Sequence, residues 1–258
     1  MINKIYIARH GFRKAWILDH DASETSVPKD EALTEYGEAQ SLELANHLLT
    51  LPLNERPTAI FCSPYYRCLQ TARPISKKLG LPVFVEHGLS EWRSTLLRTG
   101  LHHPHMLAST MQGYFPEVED TWAPVWFPSR NGENIEQIHN RMAEFMEVFL
   151  PEVERRLPAE KHARILLISH AAPIIGTVRH LLGDKELPFR PGCCSLTEIV
   201  PKKDGGWEAK TLGGGAHLNE ALSDWRQWSF ENLEVGYGKD HPDMSEIVVD
   251  KTAGSQLG

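Results

Sequence analysis

The sequence predicts an α/β fold in which a mostly parallel sheet is covered by helices on both faces. Short apolar runs over residues 4–9, 58–62, 82–86 and 164–169 have the continuous hydrophobicity of strands that are buried on both sides. Longer segments with helical periodicity follow most of these runs, and this alternation is typical of parallel sheets. Ligands of such sheets bind beyond the carboxyl ends of the strands, where loops lead into helix N-termini.

Four helices are predicted, over residues 36–49, 65–79, 134–156 and 171–182. The first repeats apolar residues at three- and four-residue spacing: Leu42, Ala45, Leu48 and Leu49. Thr34 is its candidate N-cap, and Ser63, followed by Pro64, is the candidate N-cap of the second helix. The third helix has one apolar face, formed by Ile135, Ile138, Met142, Phe145 and Phe149.

We predict one domain over residues 1–234, with a long insertion at about 87–132 and a flexible tail over 235–258. The insertion lacks clear periodicity and contains proline, glycine and aromatic residues, so it is a candidate lid or specificity wall. The tail is polar and patternless. Neither an internal repeat nor a low-complexity tract is present in the sequence.

The composition is that of an ordinary globular protein, with 41% hydrophobic and 24% charged residues in a chain of 258. The formal net charge is -7. This acidic balance argues against a nucleic-acid partner, which would need clustered basic side chains. Residues 117–160 carry -6 of that charge, whereas residues 1–116 are close to neutral at +1. A locally basic site is therefore compatible with an acidic protein.

The sequence predicts a soluble intracellular protein, located in the cytoplasm, the nucleus or both. No stretch reaches the roughly 18 consecutive apolar residues of a membrane span, and the first residues lack the apolar core of a signal peptide. The cysteines form no C-x-x-C pair: Cys62, Cys68, Cys193 and Cys194. We expect reduced thiols and no membrane partner.

Polar residues gather in four loops that follow or neighbour the predicted strands. They are Arg9-His10-Gly11-Phe12-Arg13, Ser63-Pro64-Tyr65-Tyr66-Arg67, Gly88-Leu89-Ser90-Glu91-Trp92 and Ser169-His170-Ala171. Arginines from separate loops suit a phosphate dianion, because planar guanidinium groups form paired hydrogen bonds with its oxygens. The helix that begins after His170 adds backbone N–H groups, starting at Ala171. The pattern predicts a phosphate pocket built around two histidines.

In such a pocket, a neutral His10 can attack phosphorus, because nearby arginines disfavour the protonated imidazole. Gly11 would let the backbone approach the ligand. A carboxyl group that faces the leaving oxygen would donate a proton and later accept one from water. Glu91 is the candidate, and another carboxylate of the insertion is the open alternative. This chemistry needs neither a metal nor another cofactor.

These motifs together resemble the histidine phosphatase superfamily, also called the phosphoglycerate mutase-like family. The resemblance covers roughly residues 4–200 and includes Arg-His-Gly at the end of the first strand, Leu-Thr-x-x-Gly-x-x-Gln at 33–40, Ser-Pro-x-x-Arg-x-x-Gln-Thr-Ala at 63–72 and the later Ser-His. It implies the phosphoglycerate mutase-like fold and a phosphorylated nucleophile at His10. It further implies phosphate clamps at Arg9 and Arg67, and a phosphoryl-stabilising role for His170.

Two narrower similarities refine this interpretation. Arg13 and the Gly-Leu-Ser-Glu-Trp run at 88–92 are similar to the phosphatase domains of the ubiquitin-associated, SH3-containing proteins, where these positions supply an extra arginine and the acid. The runs at 5–11, 66–69 and 192–196 are similar to the histidine-phosphatase subunit of the fungal RNA polymerase III factor TFIIIC and its free-standing relatives.

The leading hypothesis is a metal-independent phosphatase that hydrolyses phosphomonoesters, including aryl or phosphotyrosyl substrates, through a phosphohistidine. Its expected partner is a phosphorylated small molecule or a phosphopeptide. One alternative is an interaction subunit of an RNA polymerase III transcription factor, bound to other subunits of that factor, with weak or incidental phosphatase activity. Another is a phosphomutase, although Phe12 and Arg13 stand where mutases continue the Arg-His-Gly motif with Gln or Glu and then Ser.

Several histidines and aromatic residues permit more than one interpretation. The runs 102–105 (His-His-Pro-His) and 19–21 (Asp-His-Asp) could bind a metal, but adjacent histidines around a proline rarely converge on one ion, so we predict polar loops. Six aromatic residues could line the pocket or fill the core: Trp16, Tyr65, Tyr66, Trp92, Tyr114 and Phe115. Three more could anchor the C-terminal segment or contact a protein: Trp225, Trp228 and Phe230.

Overall fold

A seven-stranded sheet forms the centre of the computed structural model, which describes residues 1–17, 23–94, 103–104, 106–219, 226–232 and 253–257. The strands are β1 (Lys4–Arg9), β2 (Ala59–Cys62), β3 (Val83–Val85), β4 (Val118–Glu119), β5 (Trp126–Phe127), β6 (Arg164–Ser169), β7 (Leu196–Pro201), β8 (Trp207–Gly214) and β9 (Gly254–Ser255). The helices are α1 (Glu35–Thr50), α2 (Tyr66–Leu79), α3 (Ala108–Met111), α4 (Ile135–Arg156), α5 (Ala159–His162) and α6 (Ala171–Leu182).

The strand order of the central sheet is β4-β3-β2-β6-β1-β7-β8. The first five of these strands are parallel, whereas β7 runs antiparallel to β1 and β8 antiparallel to β7. The prediction of a mostly parallel α/β sheet is confirmed. In the middle, Arg9 of β1 lies opposite Ser169 of β6. The residues that follow these strands, His10 and His170, therefore leave the sheet at the same edge.

Helices cover both faces of the sheet. Side chains of β1 accordingly alternate between two hydrophobic clusters, one on each face. Ile5 and Ile7 belong to the cluster that includes α4 and α6, whereas Tyr6 and Ala8 belong to the cluster that includes α1 and α2. This two-sided burial explains why the central strands are continuously apolar. Among the described helices, none is both long and apolar enough to cross a membrane. All four cysteines are buried, and none forms a disulfide.

The helix boundaries follow local signals in α1 and α4. Thr34 caps α1 by accepting a hydrogen bond from the Gly37 N–H at 3.0 Å, as predicted. Asn134 and Gln137 form a reciprocal capping box at the start of α4. The predicted apolar face of α1 is partly wrong, because Leu42 is 46% exposed. The true buried face also includes polar side chains that form hydrogen bonds, namely Gln40 and Ser41.

The start of α2 differs from the prediction. Ser63 is not its N-cap, because the helix begins at Tyr66 and the Tyr66 N–H donates to Asp30 Oδ1 at 2.7 Å. A carboxylate from a distant loop therefore satisfies the donor that a local serine would otherwise have satisfied. This frees the Ser63 hydroxyl to contact Nε2 of His170 at 2.8 Å.

The segment predicted as an insertion joins the sheet. Its strand β4 pairs with β3 at the sheet edge. The buried Glu86, just after β3, accepts hydrogen bonds from the Trp122 indole and the Val125 backbone, both at 2.9 Å. Burial raises the pKa of Glu86 to about 7, although these hydrogen bonds oppose the shift. The buried Glu86 carboxyl group thus connects the part of the insertion around Trp122 and Val125 to the core.

The end of the chain also contacts this segment. Strand β9 pairs antiparallel with β5, with Gly254 opposite Phe127 and Ser255 opposite Trp126. For these residues the structure differs from the expected flexible tail, because a two-residue strand has too little sequence pattern to be recognised. Residues 233–252 of the predicted tail lie outside the described residues.

Candidate active site

His10 leaves the carboxyl end of β1 and is 1% exposed. Its Nδ1 lies 2.7 Å from the carbonyl oxygen of Gly11. Because a carbonyl can only accept a hydrogen bond, Nδ1 must carry the ring proton when the imidazole is neutral. The lone pair then resides on Nε2. This geometry fixes both the orientation and the tautomer that a nucleophilic histidine needs.

Gln40 and Thr71, from the motifs at 33–40 and 63–72, form hydrogen bonds to the loop that carries His10. Thr71 Oγ1 accepts from the Gly11 N–H at 3.1 Å, and Gln40 Oε1 accepts from the Phe12 N–H at 3.0 Å. A Cβ atom on Gly11 would lie 2.5 Å from the carbonyl oxygen of Gly37 in α1. Gly11 is therefore required by the close approach of α1, a reason for glycine that the sequence does not indicate.

His170, immediately before α6, lies beside His10, and their ring centroids are 5.2 Å apart. The guanidinium of Arg67 lies 3.1 Å from Nδ1 of His170, while the Ser63 hydroxyl lies 2.8 Å from its Nε2. Because a guanidinium can only donate, Nδ1 accepts from Arg67, so the proton of the neutral ring is on Nε2 and the Ser63 hydroxyl accepts it. The sequence places Ser63 at the same sheet edge but does not indicate this contact.

The arginines converge around a carboxylate that sequence analysis missed. Glu31 is 2% exposed, and its Oε2 lies 3.4 Å from Arg13 Nη1 and 3.7 Å from Arg67 Nη1. Arg67 also approaches Oε2 of Glu91 at 3.5 Å. No local signal marks Glu31, because it belongs to a loop without periodicity and its partners are distant in sequence. Its charge keeps the buried Arg67 and the half-buried Arg13 together at the floor of the site.

Three lining arginines retain donors for an anion. The Nε atoms of Arg9, Arg13 and Arg67 are buried and, within the described residues, have no hydrogen-bond partner. Arg9 instead uses Nη1 to donate to the carbonyls of Pro191 and Arg226, at 3.0 and 2.7 Å. Such unsatisfied buried donors fit a ligand with several acceptor oxygens.

These groups open into a cleft of about 390 Å³. Its lining includes the predicted Arg9, His10, Arg13, Arg67, Glu91 and Ala171, together with Trp16, Lys29, Tyr65, Trp92, Arg93, Ser94, Ala172 and Trp228. His170 contacts the site through Arg67 and through Oε2 of Glu91, 3.4 Å from Nδ1. Among the described lining residues, Glu91 alone bears a carboxylate. Within that part of the chain, no competing acid from the insertion reaches the cleft.

The aromatic candidates separate into two groups. Trp16, Tyr65, Trp92 and Trp228 line the cleft. Tyr66 packs against Phe115, with ring centroids 4.8 Å apart, and Phe115 belongs to the core. Phe230 is likewise buried in the core beside Trp228, while Trp225 lies outside the described residues.

Residues 103–104 of the predicted polar loop form neither helix nor strand, but His103 is buried, at 6% exposure. Its Nδ1 lies 3.1 Å from the hydroxyl of Tyr65, which also accepts from Arg93 Nε at 3.0 Å. Burial raises the pKa of Tyr65 to about 12, so its hydroxyl keeps its proton. The other residues considered as metal ligands, at 19–21, 102 and 105, lie outside the described residues.

The electrostatic environment keeps both central histidines neutral. Burial lowers the pKa of His10 well below 6.5, and the charges of Arg67 and Arg9 lower it further. Burial and Arg67 have the same effect on the pKa of His170. The sequence predicted arginines as the cause of this effect, but burial is the larger cause. His10, Glu91 and His170 also place potential metal-binding atoms within 4.8 Å of one another. The surrounding arginines oppose a cation there and favour an anion.

Fold and site together define an α/β protein with paired neutral histidines in an arginine-lined anion pocket. Residues 5–213 match the histidine phosphatase superfamily (branch 1), and the chain belongs to that superfamily. Over 216 residues it is 34% identical to the transcription factor tau 55 kDa subunit of Saccharomyces cerevisiae. The matched region covers 78% of this chain and 48% of the yeast protein. The match therefore spans about half of that relative's length.

Solved phosphatase structures share the fold. One is the ecdysone phosphate phosphatase from Bombyx mori in complex with tungstate, with a TM-score of 0.65 and 17% identity over 84% of this chain and 95% of that chain. Another is a phosphoserine phosphatase mutant from Entamoeba histolytica with phosphoserine, with a TM-score of 0.55 and 20% identity over 84% of this chain and 99% of that chain. At this level of identity the similarity shows the fold alone.

Proposed function

We propose that this protein is a metal-independent phosphatase that hydrolyses phosphomonoesters through a phosphohistidine at His10. The observation that carries the proposal is the fixed ring of His10, whose Nδ1 is held by Gly11 and whose Nε2 is left with a lone pair. The arginine-lined cleft supplies positive charge and buried donors for the phosphoryl oxygens. Tryptophans in the lining extend the proposal to aryl phosphates, including phosphotyrosyl groups.

In the first step, Nε2 of His10 forms a bond to phosphorus while the bond from phosphorus to the leaving oxygen breaks. Arg9 and Arg67 hold the phosphoryl oxygens, and the free N–H groups at the start of α6 stabilise the same charge. Glu91, as the carboxylic acid, gives its proton to the leaving oxygen, so a neutral alcohol or phenol departs. His170, whose Nδ1 accepts from Arg67 and whose Nε2 donates to the Ser63 hydroxyl, positions Arg67 beside the transferring group.

In the second step, water attacks phosphorus and the bond to Nε2 of His10 breaks. The carboxylate of Glu91 accepts the proton that the water loses, which restores the acid for the next cycle. Inorganic phosphate leaves, and His10 regains its lone pair. Atoms and charges balance over the two steps with substrate and water alone.

The direct test is hydrolysis of p-nitrophenyl phosphate in the presence of EDTA. We expect release of p-nitrophenol at a rate that the chelator does not change. Loss of activity on chelation would contradict the metal-independent mechanism. Failure to release phosphate from p-nitrophenyl phosphate, phosphotyrosine, phosphoserine and 3-phosphoglycerate would contradict the phosphatase proposal as a whole.

The pH dependence provides a sharper test of the nucleophile. His10 must be neutral, so activity falls as the pH drops through its pKa, and because that pKa is lowered, the acid limb of kcat/KM lies below pH 6.5. Arg13 also lowers this pKa, so Arg13→Gln should move the limb to higher pH. Profiles of kcat/KM over about pH 4 to 8 measure the shift, with Lys14→Gln, at the half-buried neighbour of Arg13, as the matched control. A limb that stays in place in Arg13→Gln would refute the proposed electrostatic effect.

A second function is favoured by the similarity to the tau 55 kDa subunit. We propose that the chain also associates with subunits of a transcription factor, because 34% identity extends over most of the chain. Affinity purification from the organism that encodes the protein tests this, with subunits identified by mass spectrometry. Recovery of transcription-factor subunits in stoichiometric amounts is expected, and their absence would reject the association.

A further inference from the structure

The mouth of the cleft carries two cationic side chains beyond the buried arginines at its floor. Arg9 and Arg67 are buried, whereas Lys29 is exposed and Arg93 is half-buried, and all four line the cleft. Glu91 and Glu31 pair with the arginines of the floor. Within the described part of the chain, neither Lys29 nor Arg93 forms an ion pair.

The position of Lys29 is fixed by its backbone. Its φ is 62°, in the left-handed region that residues other than glycine adopt only when their surroundings determine it. The carbonyl of Lys29 accepts from Arg67 Nη1 at 3.3 Å. The next residue, Asp30, is buried and caps α2 through the Tyr66 N–H. The loop that presents Lys29 is thus attached directly to the phosphate-binding arginine and its helix.

Arg93 is held from the opposite loop. Its Nε donates to the Tyr65 hydroxyl at 3.0 Å, and its Nη2 donates to the Pro28 carbonyl at 3.5 Å. Its own carbonyl accepts from the Glu133 N–H at 2.7 Å. Because Pro28 immediately precedes Lys29, these contacts bring the two cationic residues to adjoining parts of the mouth.

The charges at the site exceed what one phosphate group requires. Five cationic residues line the cleft: Arg9, Arg13, Lys29, Arg67 and Arg93. Glu91 in the lining and Glu31 behind it offset part of that charge, and both contact the floor arginines. Five cations and two carboxylates leave a net charge of +3, of which a phosphate dianion bound at the floor would offset two. One net positive charge would remain, and it belongs to the mouth, because Lys29 and Arg93 have no ion-pair partner among the described residues. The leaving group of a phosphate bound at the floor extends toward this mouth.

We propose that Lys29 and Arg93 form a second anion subsite, which binds a carboxylate on the leaving group of the substrate. The inference rests on the proposed phosphatase function and narrows its substrate class to phosphomonoesters with an anionic leaving group. The carboxylate can belong to a small aryl phosphate or to an acidic residue beside a phosphotyrosyl group, since both present the same chemistry.

Two matched substrate pairs test the subsite. The first is 4-(carboxymethyl)phenyl phosphate against 4-(carbamoylmethyl)phenyl phosphate, which differ in charge while the phenol leaving groups are similar. The second is a phosphotyrosyl peptide with flanking glutamates against the same peptide with flanking glutamines. A preference confined to the first pair identifies a small-molecule carboxylate, and one confined to the second identifies an acidic peptide; either supports a charge-selective subsite.

Lys29→Gln and Arg93→Gln should each lower kcat/KM for the carboxylate substrate of the preferred pair by about threefold to fivefold, the upper range for a solvent-exposed ion pair. The neutral partner should change by less than about twofold. Lys29→Arg and Arg93→Lys should restore most of the preference, because they keep the charge. Lys203→Gln, in the exposed turn between β7 and β8, is the control for a general change in protein charge.

Equal losses for charged and neutral substrates would overturn the proposal, because they would indicate long-range steering of the phosphate or a structural change. Unchanged kcat/KM in both glutamine variants would overturn it as well. Absence of a charge preference in the wild type, with phosphate still released, would reject the subsite and leave the phosphatase function intact. Absence of all hydrolysis would instead reject the proposed function on which the subsite rests.

Discussion

Replacing His10 with alanine is expected to lower kcat/KM for p-nitrophenyl phosphate by at least about 10⁴-fold, the scale on which loss of a nucleophile reduces turnover. Nε2 of this ring is the atom that would form the phosphohistidine, and Nδ1 is already engaged by Gly11. The arginines of the floor remain in the variant, so inorganic phosphate should still bind, as measured by calorimetry. Chemistry should therefore be lost while the anion site is kept.

Controls separate this effect from a folding defect. His10→Asn retains a side-chain donor near the Gly11 carbonyl and should be equally inactive. His180→Ala, in the last turn of α6, removes a histidine outside the cleft lining and should retain nearly full activity. An alkaline quench during turnover should trap phosphate on His10 in the wild type. Retention of more than roughly a tenth of the activity in His10→Ala would exclude His10 as the nucleophile.

The largest effect on stability is expected for Arg141→Met, which should lower the free energy of unfolding by about 3 to 5 kcal/mol, because it leaves a buried charge without its partner. Arg141 Nε lies 2.7 Å from Glu133 Oε1, and these side chains are 4% and 6% exposed. Arg141 Nη1 also donates to the carbonyls of Gly88 and Ser90, both at 3.1 Å. The same residue thus positions the segment that carries Glu91, so kcat should fall as well.

The midpoint of urea unfolding measures the change in stability, provided that the slope is unchanged. The double variant Arg141→Met with Glu133→Gln should regain part of the stability, because the unpaired carboxylate is removed. It should not regain activity, since Glu91 still lacks its support. Arg155→Met, which removes an exposed partner of Glu152 on the same helix, should have little effect. A loss no larger in Arg141→Met than in Arg155→Met would contradict the assignment of a structural ion pair.

Local sequence signals predicted most of the fold. The predicted strands and helices match the observed elements to within a few residues, because their periodicity and caps act over a few neighbouring positions. The two antiparallel strands β7 and β8 and the short strands β4, β5 and β9 were not predicted. The pairings of β4, β5, β7 and β9 depend on chain segments that are remote in sequence, and a strand of two residues has almost no periodicity of its own. Strand β8 pairs with its neighbour β7, but its exposed edge position leaves it without a continuous apolar run.

The sequence predicted some residues of the candidate site and missed others. Arg9, His10, Arg67 and His170 lie at strand ends or helix starts, where a parallel sheet brings its loops together, so their convergence followed from the fold class. Glu31 and Lys29 belong to an irregular segment whose residues do not indicate that it approaches the cleft, and Arg93 follows the predicted loop 88–92 without belonging to any of the motifs. Their roles became visible only from distances, burial and hydrogen bonds.

The sequence by itself determined the class of fold, the paired histidines and the arginines at the strand ends, because each is encoded by residues within one or two turns of chain. Tertiary structure alone decided which carboxylates face those arginines, which hydroxyl holds His170, and why Gly11 must lack a side chain. It also decided that positive charge remains at the cleft mouth. Electrostatics and close packing depend on distances through space, and those distances are set only when remote segments fold against one another.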